Sequence, residues 1–271
     1  MNLNVGAIVE PVSGRRWDPS EVRRQVYSRM ASYQALGLAP GDRVLIHFGN
    51  RLEVFAELLA VWRLGGCAIP VDSRLTPYEV TTLATAAAAR FSVTNEDTDA
   101  DPLAGLGDVT VLQTTDHVHR GPQAAVSTSF PSLDDDALIL FTSGSTGEPK
   151  GVPITHRGLA GYLAFATASY LDTGEQPVVP LFTALTFDLT VTSLFLPFLS
   201  GGRMVVVGGD GPSAVRTVAE LTDVTWCKAT PSHLEMLTRL LPDEHGLRTL
   251  VVGGEAFGVP LLQRLVRWCP E

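Results

Sequence analysis

Two groups of residues in this chain carry chemistry. The first is Thr142-Ser143-Gly144-Ser145-Thr146-Gly147-Glu148-Pro149-Lys150-Gly151, which follows the apolar run Leu138–Phe141. Glycines admit close backbone approach and positive φ. The hydroxyls of Thr142, Ser143, Ser145 and Thr146 donate to phosphate oxygens, and Lys150 adds a mobile point charge. A buried strand emptying into such a loop is built to hold a polyphosphate. It is not a Walker A loop, because Pro149-Lys150-Gly151 stands where that pattern needs Gly-Lys-Ser/Thr. A bare Ser/Gly/Thr cluster is usually a solvated turn. The ordered string of strand, hydroxyl loop, Pro-Lys-Gly and β-branched strand start favours the phosphate cradle.

The second group lies downstream. Asp188 stands between Phe187 and Leu189, and a carboxylate in apolar surroundings costs free energy without a cationic partner. On spacing alone, a helix N-cap by Thr186 or Asp188 is the simpler reading. Lys228 follows Cys227 in an apolar run, where an unpaired ammonium is costly unless it snorkels to the surface. Of the 20 basic residues only Lys150 and Lys228 are lysines. Gly253-Gly254-Glu255-Ala256 reads by itself as a strand-to-helix turn. Among the histidines, His156 opens a helix after the loop, and His117, His119, His233 and His245 show no partner pattern.

These residues need a frame, and apolar runs alternating with helical patterns supply one. Strands are predicted over Arg43–Phe48, Cys67–Pro70, Phe91–Val93, Val109–Leu112, Ala137–Phe141, Met204–Val207, Val224–Cys227 and Thr249–Val252. Helices are predicted over Arg51–Leu64, from Thr76-Pro77 onward (threonine as cap, proline first), and over His156–Tyr170, Leu189–Leu199, Val215–Leu221, Ser232–Leu241 and Val259–Trp268. The first residues and the polar stretch near 94–136 are nondescript, and within the latter Arg120–Asp136 reads as a polar surface linker. Strands separated by helices imply an α/β fold with parallel sheets flanked by helices on both faces. Ligands in such folds collect at the carboxyl ends of strands, so the phosphate loop and the Gly253 turn are expected to face one crevice.

Composition narrows the classes. The chain has 271 residues, 45% of them hydrophobic, and a net charge of −9. That length suits one large domain or two fused α/β units, and the charge argues against a nucleic-acid surface. No secretion signal opens the sequence, and no apolar run reaches membrane-spanning length. Cys67, Cys227 and Cys269 are far apart and lack metal spacing, which reads as reduced thiols in a cytoplasmic protein.

The string Leu138 to Val152 resembles the phosphate-binding signature of the adenylate-forming, or AMP-binding, superfamily. Gly41-Asp42-Arg43-Val44, the run Leu59 to Asp72, Leu185 to Thr190, Leu196 to Gly202, Thr230-Pro231-Ser232 and Gly253-Gly254-Glu255-Ala256 extend the likeness over most of the chain. It is most similar to the amino-acid adenylation domains of nonribosomal peptide synthetases. The resemblance implies that Thr142, Ser143, Gly144, Ser145, Thr146, Gly147 and Lys150 hold ATP, with Gly253, Gly254, Glu255 and Ala256 facing adenine. It implies that Asp188 holds a substrate α-ammonium, with Phe187 walling the reacting carboxylate. Leu189, Thr192, Lys228, Val251 and Gly253 then line the side-chain pocket, in a combination similar to members that select aspartate or asparagine.

The reaction implied is amino-acid activation: the carboxylate attacks the α-phosphorus of ATP, pyrophosphate leaves, and the aminoacyl-adenylate is passed to the phosphopantetheine thiol of a peptidyl carrier protein. The family's Tyr-Gly-Pro-Thr-Glu motif, whose glutamate binds Mg²⁺, does not occur up to Glu271, and neither does the small lobe with its catalytic lysine. Residues 1–271 are therefore expected to be the N-terminal AMP-binding lobe, with sub-units near 1–136 and 137–271, working with a separate C-terminal half or turning over poorly alone. Two alternatives stay open: part of an acyl- or aryl-acid CoA ligase, which has no need of Asp188, and an inactive nucleotide-binding scaffold. No partner in nucleic acid or membrane is expected. A dinucleotide-binding dehydrogenase is disfavoured, since no Gly-x-Gly-x-x-Gly follows a strand.

Overall fold

A computed structural model describes residues 6–95, 103, 109–114, 130–143, 149–209, 211–241 and 245–268. In chain order these form β1 (Ile8–Glu10), β2 (Arg15–Trp17), α1 (Pro19–Ala35), β3 (Arg43–His47), α2 (Glu53–Arg63), β4 (Cys67–Val71), α3 (Pro77–Ala86), β5 (Phe91–Thr94), β6 (Thr110–Gln113) and β7 (Asp136–Ser143). There follow β8 (Pro149–Thr155), α4 (His156–Tyr170), β9 (Val178–Leu181), α5 (Asp188–Ser200), β10 (Arg203–Val206), α6 (Gly211–Glu220), β11 (Trp226–Ala229), α7 (Pro231–Leu240), β12 (Thr249–Val252) and α8 (Val259–Trp268).

The chain divides into two compact units. One comprises Ser20–Gly49 and Glu53–Gly161; the other comprises Met1–Pro19, Asn50–Leu52 and Tyr162–Glu271. The first holds a six-stranded sheet in the order β6-β5-β3-β4-β7-β8. Its pairs are parallel except β7 with β8, which run antiparallel. β7 and β8 thus belong to the sheet of the N-terminal strands, so the division falls within α4 and not near residue 136. The loop between them joins two antiparallel strands, not a strand to a helix. Thr76 opens α3 with a full capping box: Glu79 N–H donates to its hydroxyl, and the Glu79 carboxylate accepts from the Thr76 N–H.

The core of this unit contains a charged network that hydropathy does not forecast. Arg29 of α1 and Glu57 of α2 are 1% and 0% exposed. Arg29 Nε donates to Glu57 Oε1 at 2.8 Å, and its other nitrogens reach Thr114 at 3.1 Å and the Gln25 side-chain oxygen at 2.6 Å. Tyr33 and Thr114 donate to the same carboxylate at 2.8 and 2.9 Å. Five side chains satisfy one another, so the buried charges are compensated. Burial, then the adjoining Glu57 carboxylate, pushes the Tyr33 phenol well above its ordinary value. α1 was not expected as a helix, although Val22, Val26, Met30 and Tyr33 mark one stripe. Arg29 falls on that stripe and interrupts its apolar reading.

Three histidines are held below the usual imidazole value of 6.5, chiefly by burial: His47, His156 and His233. His156 opens α4 as the sequence predicts, its ring edge-on to Trp62 at 5.4 Å. Unfolding lets these rings take up protons that the native state refuses. Their contribution to stability is therefore complete above pH 6.5 and is lost as pH falls through the lower folded values. Melting temperature is expected to decline from pH 7 to pH 5, and His156→Phe, which keeps the aromatic contact, to flatten part of that decline. A melt series across this range checks it.

The second unit holds a four-stranded sheet, β2-β1-β10-β9, and the parallel pair β11-β12. β1 and β2 are antiparallel. β9 escaped the sequence reading because Pro180 interrupts it; as an edge strand it tolerates the lost N–H. Successive side chains of β11 pack into different clusters, as the strand period directs. Cys227 and Ala229 pack with Leu234, Leu237, Leu261 and Leu265, while Trp226 packs with Val179 and Leu196. Cys67 and Cys227 are buried thiols, each pushed up to about 12 by burial; Cys269 lies outside the described residues.

α5 is the central helix of this unit, every residue from Leu189 to Phe198 being buried. It ends at Gly201, whose φ of +73° is a left-handed C-cap. The next residue, Gly202, has no room for a side chain: a Cβ there would lie 2.3 Å from the Pro177 carbonyl oxygen. Gly202→Ala is expected to cost about 1–3 kcal/mol as the backbone shifts to admit it, read as a lowered unfolding midpoint in urea.

Candidate functional site

The two strands that flank the loop expected to bind phosphate, β7 and β8, pair antiparallel. Thr142 pairs with Lys150 and Ser143 with Pro149 across β7 and β8, so the lysine stands opposite a hydroxyl residue. Both Thr142 and Lys150 are exposed. Gly151 pairs with Phe141, and a Cβ on it would come within 3.3 Å of that ring and 3.0 Å of Ile139. The glycine after the lysine thus serves the packing of the two strands. Gly144, Ser145, Thr146 and Gly147 lie outside the described residues, as do His117 and His119.

A second cluster forms around α5. The segment leading into the helix is pinned from several sides. Asn50 donates to the carbonyls of Thr183 and Leu181 at 3.1 and 3.4 Å. The Thr183 and Thr190 hydroxyls lie 2.7 Å apart, and Thr190 also donates to the Ala184 carbonyl at 2.6 Å. The helix then begins at Asp188. Phe187 takes the N-cap place with no side-chain cap, so neither Thr186 nor Asp188 caps this helix. Asp188 is exposed, contrary to the burial its apolar neighbours suggested, and among the described residues it has no hydrogen-bond or ionic partner. Its carboxylate in the first turn is favoured by the helix dipole. Phe187 is 62% exposed.

Thr192, one helical turn beyond Asp188 and on the same face, is fully buried. Its Oγ1 lies 2.5 Å from the Tyr162 hydroxyl and accepts from Lys228 Nζ at 2.8 Å. Lys228 Nζ also donates to the Tyr162 hydroxyl at 3.0 Å, and lies 5.7 Å from the centre of that ring. The amine therefore turns inward to two hydroxyls and does not snorkel. Among the described residues no carboxylate pairs with it. Lys228 occupies the same side of β11 as Trp226, and its register partner on β12 is Val251, which packs beside Trp226.

The turn after β12 closes this cluster. The Gly253 N–H donates to the Ala229 carbonyl at 3.3 Å, and a Cβ at position 253 would meet nothing within 4 Å. Gly254 has φ +86°, which L side chains seldom adopt, and it lies beside Leu189 and Thr230. Glu255 reaches back to the start of α7, its carboxylate accepting from the Ser232 N–H at 3.0 Å and from the Ser232 hydroxyl at 2.5 Å. Those bonds hold its carboxyl below the usual range. Ala256 is exposed. Thr230 caps α7 with His233 as its reciprocal partner, the Thr230 N–H lying 3.4 Å from the ring nitrogen. That cap was legible as Thr230-Pro231, the same signal as Thr76-Pro77.

Asp188, Leu189, Thr192, Lys228, Val251, Gly253 and Gly254 thus all belong to one unit, on α5, β11 and the strand and turn of β12. Tyr162 was missed, since no spacing links it to Lys228; only the fold brings α4 to them. Among the described residues no three His, Cys, Asp or Glu side chains gather to hold a metal ion, and no helix is long and apolar enough to cross a membrane.

Comparison with known proteins matches the chain to a family. Tyrocidine synthase 3 of Brevibacillus parabrevis is 31% identical over 230 residues, covering 84% of this chain and 4% of that protein. The nonribosomal peptide synthetase FmoA3 in its AMPPNP-bound form superposes with a TM-score of 0.85 at 24% identity, over 98% of this chain and 29% of that one. VinN in complex with L-aspartate superposes with a TM-score of 0.84 at 22% identity, over 98% and 70%. The chain spans a tenth or less of the length of the curated relatives it matches. The family described as AMP-binding enzyme matches residues 7–271, and the chain belongs to it.

Proposed function

We propose that this chain binds ATP and an α-amino acid and serves their condensation to an aminoacyl-adenylate, which is then passed to a peptidyl carrier protein. The observation that carries the reading is a pair of opposite charges without an ionic partner among the described residues, one at the start of α5 and one on β11 that meets Thr192, a helical turn further along α5. Asp188 stands at the helix start with a free carboxylate, and Lys228 meets Thr192 beneath it with no carboxylate partner among the described residues. A zwitterionic substrate answers both, its α-ammonium at Asp188 and an acidic or amide side chain at Lys228. Aspartate and asparagine fit this description. VinN, which has the same fold, was crystallised with L-aspartate.

In this reading Lys150 and the hydroxyl loop bind the β- and γ-phosphates, and the Gly253–Ala256 turn faces adenine. The substrate carboxylate attacks the α-phosphorus and pyrophosphate departs with the P–O bond pair. The chain's own residues contribute position and charge, not covalent chemistry. Mg²⁺ would enter with the nucleotide phosphates, a habit of this ion, since the described residues offer it no cage.

Amino-acid-dependent exchange of radiolabelled pyrophosphate into ATP, run with the twenty amino acids and with aryl and fatty acids, tests the proposal. Aspartate or asparagine should lead. Exchange driven by a fatty or aryl acid and by no amino acid would overturn it in favour of an acyl ligase. Lys150→Ala should weaken ATP binding roughly tenfold, as expected for loss of a charge-assisted contact.

A further inference from the structure

The hydroxyl of Tyr162 has no assigned role, and its position gives it one. An ammonium has three donor hydrogens and no acceptor. Lys228 spends two of them on the Tyr162 and Thr192 oxygens, at 3.0 and 2.8 Å. Those oxygens lie 2.5 Å apart, so one hydroxyl donates to the other. Whichever way that bond points, one O–H hydrogen stays unspent. The oxygen receiving that bond has then accepted twice and is saturated, while the donating one keeps a single acceptor site. Two hydrogens are therefore left over, one N–H and one O–H, beside a positive charge that no carboxylate among the described residues neutralises. The Tyr162 ring, 5.7 Å from the ammonium, further restrains it.

With two donors, one acceptor site and an ammonium that no carboxylate among the described residues neutralises, such a cluster favours a group that mainly accepts and carries negative charge. An ionised carboxylate has two acceptor oxygens and no donor, whereas a primary amide presents one acceptor and an NH₂ that would face donors. A negative charge also compensates the half-buried ammonium, and a neutral amide does not. We infer that Tyr162 is a specificity-determining positioning residue: together with Thr192 it fixes the Lys228 ammonium so that the pocket takes an ionised acidic side chain and rejects its amide. This rests on the proposed amino-acid activation and narrows its substrate from aspartate or asparagine to aspartate.

The test is pyrophosphate exchange by the protein, with aspartate and asparagine titrated separately. The wild type should prefer aspartate. Tyr162→Phe keeps the ring and deletes the hydroxyl. It should raise the KM for aspartate about tenfold, the scale of a lost charge-assisted hydrogen bond, leave kcat within about twofold and leave asparagine nearly unchanged, so that the preference collapses. Thr192→Ser, which retains a hydroxyl, should keep the preference, and Thr192→Val should lose it as Tyr162→Phe does. Circular dichroism melts of each variant report folding, and the Thr192 pair carries the test should Tyr162→Phe fail to fold. A wild type that prefers asparagine, or a folded Tyr162→Phe with the aspartate preference intact, overturns this inference while leaving amino-acid activation standing. Exchange with none of the twenty amino acids overturns both.

Discussion

Glu57→Ala is expected to remove about 3–5 kcal/mol of folding stability, because it strands the Arg29 guanidinium in the core without its counter-ion. Against a total of about 5–15 kcal/mol for an ordinary domain, that loss brings the first unit close to unfolding. Tyr33 and Thr114 would lose their acceptor in the same change. Replacing both partners, Arg29→Met with Glu57→Leu, should recover most of the loss, since an apolar pair of similar volume has no charge to compensate. Urea unfolding of Arg29→Met, Glu57→Leu and the double variant forms a mutant cycle, with Glu57→Ala measured beside it. A single-variant loss below about 1 kcal/mol would mean that the pair is weakly coupled despite its burial.

Asp188→Asn is expected to act on function and hardly at all on the fold. The exposed carboxylate has no partner among the described residues, so stability should change by no more than its dipole interaction at the helix start, about 0.3–1 kcal/mol. Amino-acid-dependent pyrophosphate exchange should fall about a hundredfold in kcat/KM, equivalent to about 3 kcal/mol of lost ammonium–carboxylate interaction. ATP affinity should move less than twofold. Unaltered exchange by this variant would detach Asp188 from the substrate and remove the amino-acid half of the proposed function.

Much of this was legible in the residues, and what was not has a physical cause. β3, α2, β4, α3 and the strands and helices from β10 onward announced themselves through local period and capping, which need no knowledge of the fold. α1 and β9 did not, because a buried arginine and a strand proline contradict the local rule and are accommodated only by tertiary partners: Glu57 for Arg29, an edge position for Pro180. The exposure of Asp188 was misread for a related reason. Its sequence neighbours are apolar because α5 is buried, yet the first turn of a buried helix emerges from the core. Lys228 was singled out as a costly ammonium, but its hydroxyl partners come from α4 and α5, 66 and 36 positions away. Separation of that size leaves no periodic trace.

α5 carries one more consequence. Its backbone from Leu189 to Phe198 lies wholly inside the second unit, so its amides have no route to solvent short of opening that unit's core. Deuterium uptake along this helix should thus be governed by global unfolding, with the slowest amides of the unit flanking Thr192. On the proposed function, the surface that begins at Asp188 is anchored in backbone expected to exchange slowly, and a substrate would meet walls already set before it arrives.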